Sequence, residues 1–196
     1  MEHGSSDYTK LNIFFDEDMP HVDFLPQLLQ LKALELDCFN WNGGWFVPAD
    51  ALLASLLQCA RLTELNLWCG LNSAHWSSLF AKLSIKKLSI RGAELETLQC
   101  FAEGPITLSL EELTLRDLEL PQLELSHLYG LRRLRTLHLD KCISPRLDDA
   151  TFESLSPPTA FLPTLTKLVH HRSHLPGDLF ESQAASFEWM QQRMTQ

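Results

Sequence analysis

Few residues of this chain stand in patterns that do chemistry. His170, His171 and His174 form the densest imidazole group. Histidines three or four residues apart on a helix can share a zinc ion. Here Leu175-Pro176-Gly177 follows at once, no H-E-x-x-H is present, and no carboxylate stands beside them as a general base. They read as surface histidines, with a metal-dependent enzyme using this cluster as the alternative from another function class. Asp16-Glu17-Asp18 and Asp148-Asp149 have the oxygen donors of a cation site, but solvation and charge at a helix N-terminus account for them better. G-x-S-x-G, the P-loop and G-x-G-x-x-G are missing from the sequence, so nucleophile, base and oxyanion donors cannot be assembled. The expectation is a non-enzyme with no cofactor and no metal.

Stepping from single residues to their supports, the chain of 196 residues contains 40 leucines but only 5 isoleucines and 3 valines. Such a bias invites a search for a period. L-x-x-L-x-L occurs at Leu31-Leu34-Leu36, Leu62-Leu65-Leu67, Ile85-Leu88-Ile90, Leu110-Leu113-Leu115 and Leu134-Leu137-Leu139, with weaker copies at Tyr8-Leu11-Ile13 and Leu165-Leu168-His170. Each copy is a short strand whose fourth and sixth positions face a core and whose fifth and seventh face away. The segments between copies carry helix signals: Pro48 to Cys59, Asn72 or Ser73 capping a helix that buries Trp76, Leu79 and Phe80, Glu94 to Glu103 with a stop at Gly104-Pro105, a segment after Pro121 burying Leu123 and Leu128, with Leu125 a further candidate, before Gly130, and Asp148 to Leu155. Gly43-Gly44 reads as a loop. Strand, return segment and next parallel strand make a solenoid, curved with its strands inside.

Acidic residues outnumber basic ones 25 to 16, a net charge of −9. Polyanions repel such a surface, which argues against nucleic acid and anionic membranes. No apolar run approaches the ~20 residues of a membrane span. The first seven residues lack a secretory signal pattern. Cys38 and Cys69 occupy equivalent positions of neighbouring strands, within disulfide reach, yet five cysteines in a chain this long favour a reduced pair and a reducing compartment, cytoplasm or nucleus. Cys59, Cys100 and Cys142 read as small core residues. At the C-terminal end, Asp178-Leu179-Phe180-Glu181 opens a helix with Phe180, Ala184, Phe187, Met190 and Met194 on one stripe, fit to cover the last repeat. The division is therefore a solenoid over 1–177 and a capping helix over 178–196. The N-terminal strand looks bare, so that either the array continues further or a partner covers this edge.

Over residues 8–175 the chain resembles the leucine-rich repeat family. That likeness implies an α/β fold: a right-handed curved solenoid of about seven repeats, parallel strands on the concave face and helices on the convex one. Cysteine usage and helical backs are similar to the intracellular ribonuclease-inhibitor and F-box-linked types. Departures are plain: no copy has asparagine at the ninth position, and only Cys142 supplies cysteine there. The family implies protein binding through the concave face. A narrower version is the substrate-receptor part of a ubiquitin ligase, although no F-box precedes the repeats.

On that face the seventh positions run Phe14, Asp37, Trp68, Arg91, Arg116, Asp140, His171, and the fifth positions run Asn12, Glu35, Asn66, Ser89, Thr114, His138, Val169. Tryptophan and arginine are hot-spot residues. The expected partner-binding set is Trp68, Arg91 and Arg116 with Asp37, Asp140 and His138. Trp68 could equally lie flat on the stems of its neighbours. With Lys86 and Lys87 the arginines form a basic island suited to an acidic or aromatic segment of a protein or peptide partner.

Overall fold

The computed structural model describes residues 9–15, 21–40, 44–92, 95, 97–118, 125–142, 164 and 167–171. In chain order the strands are β1 (Lys10–Phe14), β2 (Ala33–Asp37), β3 (Phe39–Asn40), β4 (Gly44–Trp45), β5 (Glu64–Trp68), β6 (Lys87–Arg91), β7 (Glu112–Arg116), β8 (Thr136–Asp140) and β9 (Lys167–His171). The helices are α1 (Ala49–Leu56), α2 (Ser73–Phe80) and α3 (Ile106–Ser109). Seven strands form one sheet in the order β1-β2-β5-β6-β7-β8-β9, and each neighbouring pair is parallel. Every expected strand copy is in this sheet, in sequence order.

The register follows from the leucines. Leu34, Leu65, Leu88, Leu113 and Leu137 lie side by side, as do Leu36, Leu67, Ile90, Leu115 and Leu139. All are buried, and so are the first-position residues Leu31, Leu62, Ile85, Leu110 and Leu134. A shift of one residue would turn a whole row out of the core, so burial fixes the register. The backbone adds a rung between repeats. Thr9, Lys32, Thr63, Lys86 and Glu111 each offer one carbonyl to two successive N–H groups of the next repeat, as where Lys86 O accepts from Glu111 N at 2.8 Å and Glu112 N at 3.0 Å.

Behind the sheet, α1 buries Leu52 and Leu56. In α2 the Asn72 side chain accepts from the backbone N–H groups of Ala74 and His75, and His75 Nδ1 accepts from Asn72 N–H in return. That reciprocal cap satisfies donors which a helix start leaves open. Trp76, Leu79 and Phe80 are buried as expected, and Trp76 donates to the Leu71 carbonyl at 3.2 Å. Ring contacts run from Trp76 to Phe80 (5.5 Å) and on to Phe101 (5.0 Å).

Two expectations need correction. Among the described residues of the segment from Glu94 to Glu103, the expected helix is shorter. Leu95, Leu98 and Phe101 are buried, but only Leu98–Phe101 is helical, as a single 3-10 turn. The turn starts late because Thr97 is extended and its side chain accepts from Gln99 N–H at 3.2 Å; the expected stop holds, with Gly104 at φ +83° and α3 starting afresh behind Pro105. The left-handed backbone needed there is open to glycine, and Pro105 cannot donate to a continuing helix. Secondly, the stretch containing Gly44 is not simply a loop: β3 and β4 pair antiparallel as a small hairpin. After Pro121 the described part is a 3-10 turn, Leu125–Gly130, with Leu128 buried. The stretches Asp16-Glu17-Asp18 and Asp148 to Leu155, and the helix expected over 178–196, lie outside the described residues.

Candidate functional site

The sheet face turned away from the leucine core is built by the third, fifth and seventh positions of the repeats. Its seventh-position column is realised in full: Phe14, Asp37, Trp68, Arg91, Arg116, Asp140 and His171 are consecutive register partners. The fifth-position column holds too, with His138 between Thr114 and Val169. Parallel strands carry these side chains, so their spacing is set by the sheet and not by loops.

Trp68 lies between two flat groups. Phe39 stacks on it with ring centroids 4.7 Å apart and planes 3° from parallel. Arg91 places its guanidinium carbon 3.7 Å from the indole centroid. Cys38 N–H donates to the Trp68 carbonyl at 2.8 Å, which brings Phe39 in from the β2 side, while Arg91 comes from β6 on the other. Asp37 holds this arrangement from below, since its carboxylate accepts from the Phe39 N–H at 3.1 Å. Trp68 thus packs on its neighbours, the Phe39 ring and the guanidinium of the arginine beside it in the column.

The arginines are already engaged within the chain. Arg91 Nε meets Asp117 Oδ2 at 2.6 Å, and Arg116 Nε meets Asp140 Oδ2 at 2.8 Å. Lys141 Nζ reaches the other oxygen of Asp117 at 3.6 Å, and Lys87 pairs with Glu112 at 3.3 Å. The expected basic island is therefore interleaved with carboxylates, and an acidic partner segment would have to displace them.

Phe39, Asp117 and Lys141 are the site residues that sequence reasoning missed. Asp117 and Lys141 stand at the eighth position of their repeats, and both have left-handed backbone (φ 51° and 52°), as does Gly92 at the same position one repeat earlier (φ 58°). This turn ends β6, β7 and β8 and lets the Asp117 carboxylate reach back to Arg91. The signal in the sequence was the column itself, continued by one position: Gly92, Asp117 and Lys141, of types that range from permissive to unusual in this conformation.

Next to the column is a polar trough of about 250 Å³, its walls formed by Lys10, Asn12, Glu35, Glu64, Asn66, Lys87, Ser89, Glu112 and Thr114. Asn66 donates to Glu35 at 3.0 Å across two strands. Of the third-position residues in this wall, Lys87 was expected in the basic island, whereas Lys10, Glu64 and Glu112 were not among the expected residues.

All five cysteines are buried and free. Burial pushes the Cys69 and Cys100 thiols up to about 12 and that of Cys142 to about 11. Cys38 is raised too, by burial first and then by the neighbouring Cys69 and Asp37. Such thiols are poor nucleophiles and poor metal ligands. Among the described residues no group of three or more His, Cys, Asp or Glu is placed to hold a metal ion. His170 and His171 belong to strand β9, not to a helix, and His174 lies outside the described residues. No helix among the described residues is long and apolar enough to cross a membrane.

No protein-family model matches the chain, and no curated protein matches it in sequence. A solved structure does resemble it. The crystal structure of internalin C2 from Listeria monocytogenes str. 4b F2365 superposes with a TM-score of 0.50 at 16% identity, over 88% of this chain and 76% of that one. Internalin C2 is a leucine-rich repeat protein. The fold of this chain is that of a leucine-rich repeat solenoid. At this level of identity the likeness speaks for the fold alone, and the leucine-rich repeat face described above must be read from its own residues.

Proposed function

We propose that this chain is a non-catalytic protein-binding module that takes a protein or peptide partner on the open face of its sheet. The observation that carries this reading is the stack of Phe39, Trp68 and Arg91 beside the polar trough. A large aromatic held between two flat neighbours loses little entropy on binding, which is the physical basis of a hot spot. Arg116, Asp37, Asp140 and His138 complete the contact set around it. Because Asp117 and Asp140 already neutralise the arginines, the partner segment is better described as aromatic or mixed-charge than as purely acidic.

The finer points of architecture belong to the same proposal. Seven repeats correspond to the seven parallel strands. A right-handed winding follows from the strong preference of parallel crossovers for that hand. The five free thiols suit a reducing compartment, and we assign the cytoplasm or nucleus on that ground. The intracellular subtype with cysteine-containing repeats rests on Cys38, Cys69 and Cys142. A substrate-receptor role in a ubiquitin ligase is a special case of partner binding, to which no described residue adds support.

The test is quantitative capture of partners by cross-linking, comparing wild type with two folded variants. Trp68→Ala should weaken capture by about 30-fold, the value of ~2 kcal/mol expected of a hot-spot residue. Thr114→Arg, which fills the trough without touching the core, should also reduce it. If both variants keep native melting and capture the same partners as wild type, the open face is not the site.

A further inference from the structure

We propose that two copies of this chain join edge to edge through β1, antiparallel, so that their two sheets become one. Strand β1 pairs with β2 and, among the described residues, with nothing on its other side. Thr9 O accepts from Lys32 N and Ala33 N, and Phe15 N donates to Asp37 O. These bonds settle which backbone groups face β2. Alternation along a parallel strand then turns the N–H and C=O of Lys10, Asn12 and Phe14 outward.

The side chains of this edge are unfinished compared with their equivalents. Leu11 and Ile13 are only half-buried, whereas Leu34, Leu65 and Leu88 in the same row are each 2% exposed. Phe14 is 70% exposed. Protein edges are usually blunted by lysine, proline, a bulge or an inward charge, and β1 has the lysine, Lys10, which the pairing below uses rather than repels. The five residues of β1 contain no proline, bulge or inward charge: Lys10 points to the open face and the register to β2 is unbroken.

A second copy fits this edge in one particular register. With a two-fold axis through Asn12, the outward backbone groups of Lys10, Asn12 and Phe14 meet those of Phe14, Asn12 and Lys10 of the second copy. Lysine then stands opposite phenylalanine twice, a cation–aromatic pair. Leu11 meets Ile13 twice on the core side, closing the row that is half-open in one chain. The axis is perpendicular to the sheet, so both open faces remain on the same side. Slipping by one residue would put the aliphatic residues of one copy on the wrong face. The order cation, aliphatic, amide, aliphatic, aromatic is thus complementary to its own reverse, and this is why a second copy is the occupant.

Sedimentation equilibrium of the full chain from about 1 μM to about 1 mM tests the proposal. The mass should rise from 22.4 kDa towards twice that value. Asn12→Pro removes an outward N–H and leaves the bonds to β2 in place, so it should hold the mass at the monomer value with unchanged melting. Phe14→Lys sets like charges opposite each other and should weaken association by about tenfold or more. Adding Lys10→Glu to Phe14→Lys should restore it, because each pair becomes an ion pair of reversed order. A wild type that stays monomeric throughout overturns the proposal. So does a dimer that persists unchanged in both Asn12→Pro and Phe14→Lys, since the copies would then be joined elsewhere.

Discussion

Burial governs the chemistry of the individual residues more than their identity does. A thiol that is harder to ionise in the folded chain than in the unfolded one has no effect on stability below pH ~8.5, where both states hold their protons. As the pH rises past that point, the unfolded chain releases protons that the folded chain keeps, and stability falls until the folded values of about 11 for Cys142 and about 12 for Cys69 are reached. Urea titrations between about pH 9 and pH 11 should therefore show a decline that is shallower in the variant carrying Cys69→Ala and Cys142→Ala. An equal slope would mean that other groups set the alkaline limit. The cap of α2 makes a second residue-scale prediction. Asn72→Ala removes the acceptor of two backbone N–H groups and should cost about 1 kcal/mol in chemical denaturation.

Strands and their return segments are tied together by the rows of leucine. Leu113 is 0% and Leu137 2% exposed in the middle of the sheet. Replacing either with alanine should cost ~2–5 kcal/mol, since both lost burial and a residual cavity contribute. Leu11→Ala, in the same row at the edge, should cost less, because that side chain is only half-buried. Equal losses at the three positions would show that the edge is covered in solution. Gly104 connects the 3-10 turn to α3, and a Cβ there would lie 2.8 Å from the Phe80 carbonyl oxygen with φ at +83°. Gly104→Ala should thus be destabilising through both backbone strain and contact, by more than the ~1 kcal/mol of an ordinary helix or turn substitution.

At the scale of the whole molecule, each repeat touches chiefly the repeats beside it, so the ends of the stack should open before its middle. Amide hydrogen exchange should show the strongest protection in β5, β6 and β7 and weaker protection in β1. Protection of β1 equal to that of β6 at high concentration, lost on dilution, would match the edge-to-edge pairing. Uniform protection at every concentration would contradict the nearest-neighbour picture.

The residues alone determine the period, the inward rows and the columns on the open face, because a two-residue alternation and a repeated leucine leave a single register that buries every row. They also determine the cap of α2, since Asn72 acts on donors two and three residues away. What the tertiary structure decided depends on contacts between repeats. The approach of Asp117 to Arg91 and of Lys141 to Asp117 requires the left-handed turns after β7 and β8 and the lateral spacing of the sheet together. The stacking of Phe39 on Trp68 requires the β3–β4 hairpin, for which the local sequence had no leucine signal. The fold also set Gly104 against the Phe80 carbonyl of the preceding repeat, where a Cβ would lie at 2.8 Å. Local spacing can specify which face a side chain takes, but the partner it meets there comes from a repeat some 25 residues away and is chosen by how the repeats stack.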